Sequence, residues 1–553
     1  MKINILNSTI EVPENTRIID MFDNTGYKYY AARVNNDLKN NRIRELNYIV
    51  PGDCNIELLD LTSEDVTRMY SATLRYVITM AINKIYPKSR ILFNYSVSRS
   101  IFGNLVNIGH SFSMKDLNDL EKEIREIVAR DLPINRDTLT KEEAIKYYHS
   151  IGWQDKVDII KYRPEDTVHI YECDGFKNYM FQYMFPRTGY LKDFRLLFYP
   201  PGFLALYPRC ECNGQIPVFE EERVFRSVLR EANYWTKISK TGYISQLNHQ
   251  IEDGKALELI NLCETRHNDQ LCMLAEEIFK RKDKLKLICV AGPSSSGKTT
   301  FTNRLKISLK ARGIEPLMIS MDDYYLPANE CPKDENGKPD FEHLNALDLE
   351  LFDSTIFRLV SGEFVRLPKY NFATSKREFG EEIKLSKNQL IVIEGIHGLD
   401  SAICPSISFE EKYKIFIAPL PQYKIDDHNP ISISDIRLIR RIVRDYQFRN
   451  TGCESTIEQW ASVRNGEFKW IYPYQNNADF VFNSELGYEL PVMSKYALPL
   501  LEKVKNNSKY FVTANRLIKF LKYFKQISDK WIPSNSILRE FIGNSIFYTN
   551  EED

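Results

Sequence analysis

Residues 285–300 read LKLICVAGPSSSGKTT: an apolar run, the loop Gly292-Pro-Ser-Ser-Ser-Gly297, then Lys298 and Thr299. This is the complete G-x-x-x-x-G-K-[ST] phosphate loop, set between a strand pattern and a helix pattern. Glycines let the backbone curl so that successive N–H groups point at phosphate oxygens, and the following helix adds the positive end of its dipole. The motif implies that the chain binds a nucleoside triphosphate. Its candidate contacts are Gly292, Ser294, Ser295, Ser296, Gly297, Lys298, Thr299 and Thr300. Lys298 is placed to reach the β- and γ-phosphates, and the Thr299 hydroxyl to ligate Mg²⁺.

Downstream, strand and helix patterns alternate: LKLICVAG, a helix over 298–311, EPLMISM, a helix near 348–361, QLIVIEGI, KYKIFIAP, a helix through DIRLIRRIVRDYQFR, and ADFVFNS. Such alternation predicts a parallel sheet with helices on both faces and ligands at the carboxyl ends of its strands. Upstream, residues 218–283 read as a largely helical connector. Residues 91–210 mix strands (ILFNYSV, TVHIYEC, DFRLLFYP) with helices and read as an α+β domain. The helical run VTRMYSATLRYVITMAINKIYP precedes them, and the first sixty residues alternate in the strand manner around one short helix-like segment. The expected division is 1–61, 62–215, a connector 216–283, and a phosphate-loop domain 284–553.

A chain of 553 residues exceeds one hydrophobic core, so several domains are expected. Lys plus Arg number 74 against 75 Asp plus Glu, which gives no global pull toward nucleic acid or anionic membrane. No apolar stretch is long enough to span a bilayer, and MKINILNSTIEV lacks a signal-peptide core. A cytoplasmic protein is expected, and ten scattered cysteines suit a reducing compartment. Cys210 and Cys212 form a C-x-C without a second pair, so zinc is not the preferred reading.

The strand EPLMISM delivers Asp322 and Asp323 to the phosphate-loop edge, followed by Tyr324 and Tyr325. A carboxylate there can accept the proton of an attacking hydroxyl; the same residues also suit a helix N-cap and two packing tyrosines. Glu394 ends a buried strand, as an acid associated with Mg²⁺ requires. Arg437, Arg440, Arg441, Arg444 and Arg449 recur at three- to five-residue spacing. On one helix they can bridge phosphates, or pair with Asp435 and Asp445 as an ordinary charged surface.

In this order, GPSSSGKT, ISMDDYY, DFEHLNALDLELF, LPKYNF, VIEGIHGL and RLIRRIVRD resemble the uridine kinase and phosphoribulokinase family of P-loop kinases, over roughly 285–505. The resemblance implies transfer of a phosphoryl group from ATP, with Mg²⁺, to the 5′-hydroxyl of a nucleoside such as uridine or cytidine. It implies Asp322 as proton-accepting carboxylate, Glu394 with Thr299 at the metal, and Arg441, Arg444 and Arg449 on a mobile lid. It places Tyr325, Tyr370, Arg377, Glu342 and Gln459 on the acceptor side. Two departures stand out: family members have an aspartate on the ribose hydroxyls where this chain has Glu342, and a base-reading histidine where it has Ser375. A different small hydroxyl acceptor, a purine nucleoside or a sugar phosphate, therefore stays open.

Residues 1–61 resemble the TGS β-grasp module, and 62–215 the second domain of threonyl-tRNA synthetase, on VNNDLKNNRIREL, LLDLTSEDVTRMYSATLRYVITMAINKIYP and the stretch YECDGFKNYMFQYMFPRTGYLKDFRLLFYPPGFLALYP. That synthetase domain edits mischarged serine with a His-x-x-x-His and a Cys-x-x-x-His. Here the first helix has no histidine, and Met180 and Met184 stand before Pro186-Arg-Thr-Gly189. An editing fold without editing chemistry is expected, with a nucleotide, an RNA end or a partner subunit as ligand. The resemblance is compatible with a homo-oligomer, and an ATP-switched, RNA-binding regulator of translation is the competing class.

Overall fold

The computed structural model describes the chain except residues 36–40, 334–336, 372, 373, 375, 387 and 549–553. Its C-terminal half is built on a five-stranded parallel sheet. The order is Glu315–Ser320, Gln389–Glu394, Leu287–Ala291, Lys412–Ala418, Phe480–Asn483, with the phosphate-loop strand at the centre. The Leu287–Ala291 strand is buried throughout, as the continuous apolar run requires of a strand covered on both faces. Ile288 and Val290 join the core beneath helices Ala256–Lys280, Lys298–Lys310 and Ile433–Phe448, whereas Leu287 and Cys289 join the opposite core with helix Leu349–Val360. That period-two split puts helices on both faces of the sheet.

The segment ahead of this sheet is part of it. Helix Ala256–Lys280 lies along Lys298–Lys310, joined by Arg304 to Asn268 at 2.8 Å and Arg312 to Glu276 at 3.3 Å. Helix Arg223–Ile238 packs on strand Phe480–Asn483.

In the N-terminal half, residues 1–59 form a five-stranded mixed sheet in which Lys2–Ile5 and Cys54–Leu59 run parallel side by side. Helix Glu64–Ile85 follows, a 22-residue element buried over most of its surface, with Glu64 and Asp65 in its first turn. It is flanked by a four-stranded sheet (Arg195–Tyr199, Gly202–Leu206, Ile101–Val106, Arg90–Phe93) and a three-stranded one (Phe176–Asn178, Thr167–Cys173, Asn135–Thr140). The two halves share a core: Tyr148, Val157, Ile160 and Tyr179 belong to the same cluster as Ile288, Ile439 and Leu517. Lys156 and Asp426, both fully buried, pair across this junction at 2.7 Å. Among the described residues no helix is long and apolar enough to cross a membrane.

Candidate active site

Gly292 leaves the central strand where a Cβ would lie 2.1 Å from the Ile417 carbonyl oxygen, so only glycine lets the loop turn there. Ser295 (φ 60) and Gly297 (φ 90) take left-handed conformations that wind the loop into helix Lys298–Lys310. Lys298 Nζ donates to the carbonyls of Gly292 at 2.9 Å and Pro293 at 3.3 Å, capping the nest. Burial lowers its pKa, opposed by Glu394 and Asp322. The Ser295 and Ser296 hydroxyls are buried without a hydrogen-bond partner, as expected of groups that meet phosphate oxygens.

The loop is braced from behind. Arg437, fully buried, donates to the Ser294 carbonyl at 2.8 and 3.0 Å and pairs with Glu467. Arg440 reaches the carbonyls of Ser295 and Ser296 at 3.4 and 3.5 Å and pairs with Glu489 at 2.5 Å. The carbonyls of Ser294, Ser295 and Ser296 are thus held on this side, while the Ser296 N–H donates within the loop to the Pro293 carbonyl at 3.2 Å. The helix expected as a mobile lid is thus core over most of its length. Ile436, Leu438, Ile439, Ile442 and Val443 bury it nearly all round, a signal present in the sequence. Its arginines divide between partners: Arg437 pairs with Glu467 and Arg440 with Glu489, whereas Arg441, Arg444 and Arg449 gather on Asp445.

At its far end one buried carboxylate serves three guanidinium groups: Asp445 pairs with Arg441 at 3.2 Å, Arg444 at 2.7 Å and Arg449 at 3.7 Å. Arg441 also donates to the Ser294 hydroxyl at 2.8 Å and to Gln459 at 3.2 Å. Burial first, then its cationic neighbours, lowers the pKa of Arg441 and of Arg449. The cluster carries surplus positive charge beside the loop.

Asp322 and Asp323 part company. Asp323 accepts from the Tyr370 N–H at 3.1 Å and fixes the hairpin Val365–Asn371 / Lys376–Ile383. Asp322 opens into the cleft, where surrounding protein raises its pKa while Lys298 and Arg449 counteract. Glu394 receives the Thr299 hydroxyl on Oε1 at 3.3 Å, and its Oε2 is buried with no partner. Burial pushes Glu394 up to about 7. An orphaned carboxylate oxygen beside a hydroxyl is a donor set that fits Mg²⁺.

Glu342 approaches the same cluster because Gly466 faces it: a Cβ at Gly466 would lie 2.6 Å from the Glu342 Cβ. Burial, with Glu467 nearby, raises Glu342 to about 7 against the pull of Arg441 and Lys298. Tyr325 is buried, donates to the Phe341 carbonyl at 3.0 Å and meets Tyr370 edge-on at 5.9 Å. Tyr370 is itself buried, its hydroxyl 3.3 Å from the Leu326 carbonyl. Arg377 pairs with Asp348, the N-cap of helix Leu349–Val360, at 2.8 Å. Ser375 lies outside the described residues. His397 is buried beside the cluster with both ring nitrogens lacking a hydrogen-bond partner, and was not singled out from sequence. Nor was Glu540, far away in the chain, whose carboxylate takes the Thr300 N–H at 3.0 Å.

The profile of the "Phosphoribulokinase / Uridine kinase family" matches residues 287–486. A uridine kinase of Borrelia duttonii is 32% identical over 231 residues, 41% of this chain and the whole of that protein. The chain belongs to the phosphoribulokinase / uridine kinase family. Its N-terminal portion matches a threonine–tRNA ligase of Acetivibrio thermocellus at 26% identity over 159 residues, 29% of this chain and 25% of that enzyme. A Bacillus stearothermophilus structure described as a possible uridine kinase is similar at 20% identity and a TM-score of 0.25, covering 39% of this chain and 98% of that one.

Proposed function

We propose that the protein transfers a phosphoryl group from Mg·ATP to the 5′-hydroxyl of a nucleoside, with residues 284–553 as the transferase domain. The observation that carries this is the division of labour in Asp322-Asp323. One acid is consumed by Tyr370, and the other is free in the cleft beside Lys298. A switch ATPase has no need of that acceptor-side acid.

In this reading the loop N–H groups and Lys298 hold the β- and γ-phosphates, and Arg441, Arg444 and Arg449 neutralise charge that develops on the transferring group. Thr299 and Glu394 would hold Mg²⁺, which supplies charge neutralisation at the phosphates. Asp322 accepts the proton of the acceptor hydroxyl as it attacks. Glu342, Tyr325, Tyr370, Arg377 and Gln459 form the acceptor side. Glu342, one methylene longer than aspartate, reaches the ribose hydroxyls. The test is ADP release and product mass with Mg·ATP and a panel of nucleosides and sugar phosphates. A uridine or cytidine product supports the reading, a product of another acceptor changes the substrate, and ATP binding without acceptor-dependent turnover refutes the transferase.

A further inference from the structure

A second polar cavity lies where the N-terminal half meets helix Phe511–Leu521, and no phosphate-loop residue lines it. It has a volume of about 130 Å³ between strands Asn41–Arg44, Asn135–Thr140 and Thr167–Cys173, the 179–183 segment and helix Phe511–Leu521. That is well above the roughly 10–15 Å³ at which a cavity first admits a water, so there is room for a small solute to enter. Its wall contains six arginines and lysines against two carboxylates, in a chain whose net charge is −1.

The imbalance survives pairing. Arg68 and Arg516 both grip Asp435, and Arg163 meets Glu165 at 3.3 Å. Among the described residues, Arg42, Arg136 and Lys519 have no ion-pair partner, and Nη1 of Arg42 is buried with no hydrogen-bond acceptor. Arg42 lies over the Phe511 ring at 4.0 Å and Arg136 over Tyr183 at 5.0 Å. Those contacts hold the cations in place without neutralising them. Glu45 accepts from Tyr171 on the wall and from the Met184 N–H, and feels Arg136 only through space, without an ion-pair contact. His169 registers the resulting field: burial, then Arg136, Arg163 and Lys519, push it down to about 4. A buried guanidinium N–H without an acceptor costs free energy that an anionic ligand would recover.

We propose that this cavity is a binding site for a nucleotide-sized phosphorylated small molecule, its phosphate held by Arg42, Arg136 and Lys519 and its apolar part by the tyrosine-rich wall. Helix Glu64–Ile85 and residues 179–183 line it, and Met69 and Met180 present apolar surface there. The site is therefore built for binding rather than for metal or acid–base chemistry. Its wall also touches the kinase machinery, because the Asp435 gripped by Arg68 and Arg516 stands in the first turn of the helix that braces the phosphate loop. The binding itself does not rest on the kinase reading.

The test uses the full chain with Lys298→Ala, which weakens the phosphate-loop site, and photo-crosslinking with 8-azido-ATP followed by peptide mapping, with UMP and pyrophosphate as competitors. Label is expected in peptides around 169–183 or 511–523. It is expected to fall at least ten-fold in Arg42→Gln/Arg136→Gln/Lys519→Gln and to be competed by UMP or pyrophosphate. A thermal melt matched to the parent establishes that the triple variant is folded; if it is not, the single Lys519→Gln, exposed and outside the core, must still weaken competition. Label confined to the phosphate loop, or undiminished label in the charge variants, overturns the proposal. So does binding only of a CCA-ended RNA hairpin, which would make the cavity an RNA-end site.

Discussion

Glu540 sits where a nucleotide phosphate is expected. The Thr300 N–H, third in the helix that follows the loop, points at its Oε2 at 3.0 Å, and Ile537 of the same segment closes over Gly297. A carboxylate on a helix N-terminus is itself stabilised, so ATP must displace it. Hydrogen bonds to charged groups contribute about 1.5–3 kcal/mol. Glu540 is partly exposed and can rotate toward water, so the lower end applies. About 1.4 kcal/mol is a tenfold change in Kd. Glu540→Ala is therefore expected to tighten ATP binding about tenfold. Glu540→Gln, which keeps a weaker acceptor and removes the charge, is expected to fall between Ala and the parent. Calorimetric titration of ATP at fixed Mg²⁺, with acceptor absent, reads this directly. Unchanged or weaker affinity in a folded Glu540→Ala protein would refute the argument: the carboxylate would then leave without cost, or would serve the nucleotide.

Asp322→Asn is expected to leave ATP affinity nearly unchanged while lowering turnover by about 10²-fold or more in single-turnover kinetics. Glu394→Gln is expected to raise the Mg²⁺ concentration needed for half-maximal activity, with ATP affinity measured without metal unaffected. Glu342, held near 7 in the fold, keeps its proton where the unfolded chain has lost it. Its contribution to stability is full below the unfolded carboxylate pKa and is lost as pH rises through about 7. Glu342→Gln should consequently raise Tm more at pH 8 than at pH 5, and should remove an inflection near pH 7 from kcat/KM for the acceptor. Lys156→Ala strands the buried Asp426 carboxylate at the junction of the halves and is expected to cost about 3–5 kcal/mol by denaturant titration.

Local signals made the C-terminal fold readable. The phosphate loop, the apolar runs of the buried strands and the acids at their carboxyl ends each lie within a few residues, and each is where the pattern puts it. What the sequence could not carry was pairing between distant segments. Nothing in ILREFIG marks Glu540 as a partner of Thr300, 240 residues away. The row of five arginines gave no way to tell Arg437 and Arg440, neutralised by Glu467 and Glu489, from Arg441, Arg444 and Arg449, which share Asp445. Likewise Asp322 and Asp323 are equivalent as letters, and only the hairpin contact to the Tyr370 N–H separates them. The cationic cavity is subtler still, because its positive charges come from five separated segments of a chain whose net charge is only −1.

The helix Ile433–Phe448 ties these observations to one physical constraint. Its first turn is fixed by Arg68 from the N-terminal half and Arg516 from the C-terminal helices, and its middle braces the loop carbonyls. Its last turns hold three guanidinium groups on a single carboxylate. Three positive charges on one acid are mutually repulsive, and burial has lowered the pKa of Arg441, so the arrangement is held by the packing around it rather than by its own pairing. In the proposed function a bound triphosphate would relieve that repulsion. The same helix is thus in contact with the cavity wall at one end and with the phosphate loop along its length. That link is what a noncatalytic N-terminal half would need in order to act on phosphoryl transfer without touching the reacting atoms.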